Sequence, residues 1–337
     1  MSTPYRYVTP VSKSKATGLV AAVYAQSTVE LGAMFSPHLS PAPDVHAATW
    51  ALLREAQLVG NAPRVGKEAV AAAVAVSNRC PFCVDAHTAL LHAGGAHRLA
   101  DAIIRGETPA DPGDAALVAW AMATRTPGAP RLSAPPYPPE FAAEYIGTVL
   151  VNHFINRMME ALRPQPLLPS NRMLAGLARR AAGIVMARTV RRDRRAGASL
   201  RLLAGRATQA SPEWAGDTPI GTAFAALHAA ANDGGALLSD AARIAVAIGV
   251  AKCGTAHPPM ARGWLDEPLA ALPVEDQPGA KLALLAALAP YRITDADVAE
   301  WRTSNSADAD LVRLLAFGAI TAVDLIAAPL SLPSRAI

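Results

Sequence analysis

The pattern of apolar residues is the feature that most constrains the fold of this 337-residue chain. No stretch alternates apolar and polar residues between hairpin turns, as strands of an antiparallel sheet would require. Hydrophobic residues make up 52% of the chain and aromatic residues only 5%, and the apolar stretches are rich in alanine. Small side chains of this kind favour closely packed helices over sheets. We therefore expect an all-α protein with a large core.

Proline, glycine and capping residues divide the chain into predicted helices. In the first half these are Lys15–Leu31, Asp44–Leu58 with Asp44 as N-cap, Lys67–Val76, Pro81–Ala93, Arg98–Arg105, Ala115–Ala123 and Glu140–Leu162, the last with Tyr145, Val149, Phe154 and Met158 as core contacts. The segment Thr126–Pro139 contains six prolines and is predicted to be an extended loop. In the second half, helices are predicted to end at Cys253 and to cover Leu311–Ile326.

Two of the three cysteines lie in one short segment with the spacing Glu68-x11-Cys80-x2-Cys83-x3-His87. Pro81 suits the first position of a helix, so we expect a helix to begin there with Cys80 as its N-cap. Cys83 then lies in the first turn, where free amides and the helix dipole favour a thiolate. His87 follows one turn later on the same face. A dithiol with a nearby base and acid is the arrangement that redox chemistry needs.

The other ionisable groups near this segment limit the alternatives. A carboxylate at Glu68, near the start of an almost wholly apolar helix, is costly to bury without a partner, so we expect it to face the cysteine site or the preceding loop. Asp85 is on another side of its helix and is predicted to be a solvated first-turn acid. Half of a zinc site is an alternative, but a structural zinc site needs four ligands and the only further cysteine is Cys253. Two buried structural thiols are another; we favour dithiol redox chemistry.

The net charge of +4 conceals one strongly basic segment. Between Arg179 and Arg206, nine arginines and one acid give a charge of +8, which leaves −4 for the rest of the chain. Such a segment can bind nucleic acid or another acidic partner, but it lacks the interleaved aromatic residues that stack on bases. An apolar stripe with helical spacing, Leu174, Leu177, Ala181, Ile184 and Val185, predicts instead a helix whose arginines face water. We expect no nucleic-acid binding.

The second half resembles a degenerate copy of the first. Cys253 and His257 follow Cys83 and His87 at an offset of 170, Pro278-Gly279 follows Pro112-Gly113 at 166, and Leu311–Ile326 follows Ala142–Arg157 at about 169. In this alignment Leu238 and Val250 replace Glu68 and Cys80, so Cys253 is predicted to be a buried structural thiol. We therefore expect a helical unit over residues 1–165, an Arg-rich helical linker over 166–211 and a degenerate unit over 212–337.

Three cysteines do not make a disulfide framework, so a reducing, cytoplasmic compartment is expected. The apolar segment Ala16–Ala25 after Lys13 and Lys15 is a weak candidate for a signal peptide, because a long region with two prolines precedes it. Uninterrupted apolar runs such as Ile244–Ala251 are too short to cross a bilayer, and we expect no membrane partner. We expect no cofactor and no metal.

Glu68, Cys80, Cys83 and His87, with helices on either side, resemble the AhpD-like alkylhydroperoxidase branch of the carboxymuconolactone decarboxylase family. The helix that carries Asn152, Asn156 and Arg157 is similar to the family's segment downstream of this motif; the neighbouring His153 is expected to be an interior residue outside the catalytic set. The resemblance covers about Pro41–Leu162 and extends to the second half only through the repeat. It implies a helical bundle that assembles into homo-oligomers.

The resemblance also implies a chemistry. Cys83 would be the peroxidatic thiol and Cys80 the resolving thiol, with Glu68 and His87 as a proton relay. The substrate would be an organic hydroperoxide, and a dithiol donor, either a dihydrolipoyl protein or a thioredoxin-like protein, would recycle the disulfide. Some members have a histidine where this chain has Phe82, which bears on how strongly Cys83 is activated.

Three other functions stay open. One is general thiol–disulfide exchange at the same two cysteines. A lactone-type decarboxylase is another, although that reaction does not need a dithiol. The third is a redox-responsive binding protein that uses the Arg-rich segment.

Overall fold

The structure is a computed structural model that describes residues 4–163, 165–168, 172–190, 194–204, 210–254, 256–305 and 307–330. No strand occurs among these residues, which confirms the all-α class. Their α-helices are α1 (Gly18–Leu31), α2 (Pro43–Leu53), α3 (Arg64–Ser77), α4 (Pro81–Ala93), α5 (His97–Arg105), α6 (Pro112–Ala123), α7 (Ala142–Leu162), α8 (Arg172–Val190), α9 (Pro219–Asn232), α10 (Asp240–Cys253), α11 (Asp266–Ala270), α12 (Gln277–Leu288), α13 (Asp295–Arg302) and α14 (Asp308–Leu330).

Local sequence signals explain most helix boundaries in the first half. α4 begins at Pro81 with Cys80 as N-cap, as predicted, and ends at the cap residue Gly94. α2 begins at Pro43 rather than after an Asp44 cap, because proline occupies the first position and Ala42 is the N-cap. Asp44 instead pairs with Arg313 of α14, with an oxygen–nitrogen distance of 3.2 Å. The proline-rich segment 126–139 is irregular apart from the short 3-10 turn Pro130–Ser133 and the start of another at Pro139.

A π-helical segment, Arg54–Leu58, continues α2 without a break. Its five residues are all buried, including the charged or polar Arg54, Glu55 and Gln57. A π-helical turn changes the direction in which side chains leave the helix and is frequent at functional sites. In this protein it directs Gln57 towards α3 and α4, as described below.

The second half repeats the order and packing of the first. α9, the 3-10 turn Asp233–Leu237, α10, α12 and α14 correspond in order to α2, the π-helical segment, α3, α6 and α7. In each half the last of these helices packs on the first, and the third packs on the fourth. The offset is 176 between Pro43 and Pro219, which both begin helices, and 166 between Pro112 and Pro278. The second half is thus ten residues shorter between these two points. In the first half α4 and α5 lie there, whereas the second half has only the short α11.

The predicted correspondence of Cys253 with Cys83 is therefore wrong. Cys253 is the last residue of α10, whereas Cys83 is the third residue of α4. An offset of 170 fits neither the helices before this point nor those after it. Cys253 is also only half-buried rather than part of the core. The division of the chain at residues 165 and 211 stays a prediction.

The two halves share one hydrophobic core. α14 packs against α12 and α7, and α2 packs against α9; Tyr145, Val149, Phe154 and Met158 of α7 are buried, as predicted. In the described residues, α14 is the one helix long and apolar enough to cross a membrane, but 72% of its most apolar window is buried inside the protein. Arg313 and Asp324 interrupt its apolar run, which is why the sequence pattern did not single it out. Its position is that of a central core helix.

α8, which carries part of the Arg-rich segment, packs along α4 with the face opposite to that predicted. Leu177 and Ile184 of the predicted apolar stripe are 61% and 79% exposed. Arg179 and Gly183 face α4 instead; a Cβ at Gly183 would lie 3.1 Å from the backbone nitrogen of Ala93, so glycine allows the close approach. Farther along, Arg194 pairs with Glu30 of α1 at 3.4 Å. Arg179 and Arg194 therefore pair with acids of other helices and do not face water as predicted.

Candidate active site

The two cysteines lie at the beginning of α4 with their sulfur atoms 2.6 Å apart. Arg79 just before them has a φ of 59° and lets the chain leave α3 and enter α4 within three residues. Cys80 is fully buried and Cys83 is 3% exposed. Burial, followed by the contact with Cys83, raises the pKa of the Cys80 thiol well above its usual value. The two thiols are within reach of disulfide formation, and Cys80 is held as the protonated partner.

Glu68 and His87 form a second pair, and His87 is on the same helix as the thiols. Glu68 begins the second turn of α3, is 1% exposed and accepts a hydrogen bond of 2.8 Å from Nδ1 of His87. His87 is one turn after Cys83 on α4, as the spacing predicts. The packing of α3 on α4 thus brings Glu68 to His87, and Glu68 faces the cysteine helix as expected. That this pair acts on the thiols stays a prediction.

Two further side chains surround the Glu68 carboxylate. Arg64, one turn earlier on α3, pairs with it at 2.5 Å, and Gln57 of the π-helical segment donates a hydrogen bond of 3.0 Å. Burial by itself raises the pKa of Glu68, but Arg64, His87 and Gln57 outweigh burial and lower this pKa to about 2. Glu68 is therefore a carboxylate throughout the neutral pH range, and it accepts hydrogen bonds without exchanging protons.

Gln57 connects the Glu68–His87 pair to α7. Its side-chain oxygen accepts a hydrogen bond of 3.0 Å from Asn152, which is fully buried. The same Asn152 amide donates to the Thr148 carbonyl one turn earlier. This chain of amides fixes the orientation of the Gln57 side chain and hence which of its ends meets Glu68.

A buried polar network supports the turn that precedes Cys80. Nδ1 of His153 accepts a hydrogen bond of 3.0 Å from the side-chain amide of Asn78, and its Nε2 is hydrogen-bonded to the Thr124 hydroxyl at 2.9 Å. Burial lowers the pKa of His153 well below the usual value, with Arg157 and Arg125 adding to the effect. Arg125 also donates to Asn78. His153 is thus a satisfied interior residue, as expected, whose contact at Asn78 is two residues from Cys80.

The second half of the chain completes this network. Arg157 donates to the carbonyl of Ala287 at 2.8 Å and Arg125 to that of Leu288 at 3.3 Å, both at the C-terminal end of α12. The negative end of a helix dipole favours cations, which explains two buried guanidinium groups there. His257 bonds to the Ser77 carbonyl at 2.9 Å. The degenerate unit therefore holds the turn that carries Cys80, and His257 has a structural contact rather than a cysteine partner.

Asp85 does not lie where the sequence predicted, and the effect of Phe82 on Cys83 stays a prediction. Asp85 is 6% exposed, not solvated, and pairs with Arg179 of α8 at 2.5 Å, so that prediction is wrong. A helix that approaches from about ninety residues later covers this side of α4. The Phe82 ring packs under the guanidinium of Arg163, 4.1 Å from its centre.

No group of three or more histidine, cysteine or acidic side chains with metal-binding geometry occurs among the residues described.

Comparison with known proteins identifies the family. Residues 43–125 match the carboxymuconolactone decarboxylase family, a segment that contains Glu68, Cys80, Cys83 and His87. A relative named alkyl hydroperoxide reductase, from Mycobacterium tuberculosis, is 44% identical over 321 residues, which are 94% of this chain and 92% of its own length. The chain belongs to the carboxymuconolactone decarboxylase family. The match with this relative extends across both halves.

Several residues that surround the site of this family member were not predicted from its sequence. Arg64 is one helical turn before Glu68, a spacing that pairs opposite charges on a helix and could have identified it. Gln57 gave no such signal, because a π-helical turn is not visible in the apolar pattern. Glu160 of α7 lies against Cys80, 80 residues away in the chain, and no local spacing indicates that contact.

Proposed function

We propose that this protein reduces organic hydroperoxides through a dithiol–disulfide cycle at Cys83 and Cys80. The observation that carries the proposal is the pair of sulfur atoms 2.6 Å apart at the start of α4, next to a hydrogen-bonded Glu68–His87 pair. The relative named alkyl hydroperoxide reductase supports it, since it matches nearly the whole chain. Apolar helices around the site suit an organic rather than a sugar or nucleotide hydroperoxide.

Cys83 has the peroxidatic role in this proposal. It lies in the first turn of α4, where the free amides and the helix dipole stabilise a thiolate. Its sulfur attacks the outer oxygen of the hydroperoxide, the O–O bond breaks, and a sulfenic acid and an alcohol form. The Cys80 thiol then displaces the hydroxyl of the sulfenic acid, and a disulfide and water result. An external dithiol reduces the disulfide by two electrons and restores both thiols.

His87 moves the proton of Cys83, and Glu68 orients His87. With a pKa of about 2, Glu68 stays ionised and cannot store the proton itself. It accepts a hydrogen bond from Nδ1 of His87, which leaves Nε2 to take the thiol proton and return it to the departing alkoxide. A carboxylate orients a catalytic histidine in the same way in serine hydrolases.

The partners and setting belong to the same proposal. The reductant is a dithiol such as a dihydrolipoyl or thioredoxin-like protein, the compartment is a reducing cytoplasm, and the protein is a homo-oligomer.

Single cysteine variants test the proposal with Cys253→Ser as the matched control. We expect Cys83→Ser to lose consumption of cumene hydroperoxide in the presence of dihydrolipoamide, and Cys253→Ser to keep it. After a peroxide pulse without reductant, the intact mass should fall by two hydrogens in the wild type and rise by one oxygen in Cys80→Ser. Unchanged turnover in Cys83→Ser would refute the peroxidase. Disulfide exchange with dihydrolipoamide but no hydroperoxide consumption in the wild type would favour general thiol–disulfide exchange.

A further inference from the structure

Glu160 is a buried acid that the proposed cycle has not yet used. It lies on α7, two residues before the helix ends, and is 4% exposed. Its carboxylate lies near enough to the Cys80 thiol that each group affects the pKa of the other. The oxygen Oε1 has no hydrogen-bond partner among the described residues. A carboxyl group is costly to bury in this way, so its position against a reactive thiol requires an explanation.

Among the described residues, the arginines next to Glu160 in the chain have partners other than its carboxylate. On its own helix, Arg157 donates its hydrogen bonds to the carbonyls of Ala287 and His153. Arg163 lies over the ring of Phe82 at 4.1 Å and that of Tyr5 at 5.9 Å. At this end of α4 the ionisable groups are the two thiols and Asp85, which pairs with Arg179 at 2.5 Å.

Burial raises the pKa of Glu160 to about 7, and the contact with Cys80 opposes this rise. At neutral pH both protonation states are therefore populated, which suits a group that takes up and returns a proton. Cys80 needs such a group, because its own pKa is raised well above the usual value and it is fully buried. Among the described residues, its thiol donates a hydrogen bond to the sulfur of Cys83, 2.6 Å away, which is the atom that it attacks and not a base.

We propose that Glu160 is the general base and acid for the resolving thiol Cys80, separate from the Glu68–His87 pair that serves Cys83. This inference rests on the proposed cycle. In the resolving step Glu160 takes the proton of Cys80 as its sulfur attacks the sulfenic acid of Cys83. The S–S bond forms, the S–O bond breaks, and the departing hydroxide takes that proton to become water. In the reductive half, a thiol of the external dithiol attacks Cys83 and releases its proton, Cys80 leaves the disulfide as a thiolate, and Glu160 takes up the released proton and passes it to Cys80.

Glu160→Gln tests this role, because glutamine keeps the size and the hydrogen bond but cannot take a proton. Rapid-quench mass spectrometry after a pulse of cumene hydroperoxide separates sulfenic acid formation from disulfide formation. We expect the first rate to be unchanged and the second to fall by about 100-fold, the usual scale of general-base catalysis. In the wild type the second rate should rise with pH through about 7, as Glu160 ionises; in Glu160→Gln this rise should disappear.

Two controls make the outcome decisive. Glu140→Gln makes the same chemical change at an exposed position just before α7 and should leave both rates unchanged. Circular dichroism and the melting temperature of Glu160→Gln show whether this variant is folded. If it is not folded, Glu160→Asp replaces it in the experiment. Because aspartate keeps the acid, Glu160→Asp should retain the pH dependence of disulfide formation with a slower rate. A folded Glu160→Gln with wild-type resolving rate and pH profile would overturn the inference.

A separate measurement distinguishes failure of this inference from failure of the peroxidase proposal. Reduction of the preformed Cys80–Cys83 disulfide by dithiothreitol needs no hydroperoxide, yet it also requires a proton for the departing Cys80. A slower reduction in Glu160→Gln, with no hydroperoxide consumption by the wild type, would support Glu160 and refute the peroxidase. Equal reduction rates in both proteins, with normal hydroperoxide turnover, would refute Glu160 alone.

Discussion

Replacing Glu68 with glutamine should destabilise the protein in a manner that depends on pH. The substitution keeps the shape of the side chain and removes its charge. Glu68 is 1% exposed and is paired with Arg64 at 2.5 Å and with His87 at 2.8 Å. In the variant, Arg64 has lost the anion that compensates its charge, and the hydrogen bonds to His87 and Gln57 are no longer made to a carboxylate.

The pKa of Glu68 gives the expected magnitude. It falls from an ordinary value of 4.5 to about 2 in the folded protein. Since one pH unit corresponds to about 1.4 kcal/mol, the ionised form contributes about 3 kcal/mol to the free energy of unfolding at neutral pH. A depressed pKa means that this contribution is complete above 4.5 and is lost as the pH falls from there to about 2. The difference between wild type and variant should therefore be greatest at neutral pH.

Urea unfolding followed by circular dichroism at several pH values measures this difference. We expect Glu68→Gln to lose up to about 3 kcal/mol at pH near 7, and the difference to shrink below about pH 4.5. Glu107→Gln is the matched control, because Glu107 is also paired with an arginine, Arg105, but is exposed; it should change stability little at any pH. A loss below about 0.5 kcal/mol at neutral pH, the scale of ordinary surface substitutions, would refute the reasoning. So would a loss that stays constant into acid.

Two further predictions concern the packing around the site. Asp85→Asn should weaken the attachment of α8 to α4 by removing the buried pair with Arg179, at a cost of about 3 kcal/mol; limited proteolysis should then cut α8 faster than in the wild type, and equal rates would contradict this. Gly318→Ala should destabilise by several kcal/mol, because its Cβ would lie 2.2 Å from the carbonyl oxygen of Ala283 where α14 crosses α12. Gly176→Ala on α8, where nothing lies within 4 Å, should instead stabilise by about 0.5–1 kcal/mol; thermal melts of both variants in parallel check the contrast.

The sequence alone determined the helical class and the local architecture of the site. Pro81 and the N-cap position of Cys80 set the start of α4, and the intervals to Cys83 and His87 place both on one face. These features depend on the fixed φ of proline and on the helical period, which act over a few residues. The cost of burying Glu68 also predicted that it faces either the cysteine site or the preceding loop, and its bond to His87 shows that it faces the cysteine helix.

The tertiary structure decided which distant side chains complete the site. Asp85 is buried and Leu177 exposed because α8 approaches α4 with its arginine and glycine face, a choice that the periodicity of α8 does not determine. Likewise Glu160 meets Cys80, and His257 of the second half supports the turn before it, through the packing of helices far apart in the chain. Local spacing specifies which residues share a helix face, whereas the partner of each face depends on how all the helices fill one core.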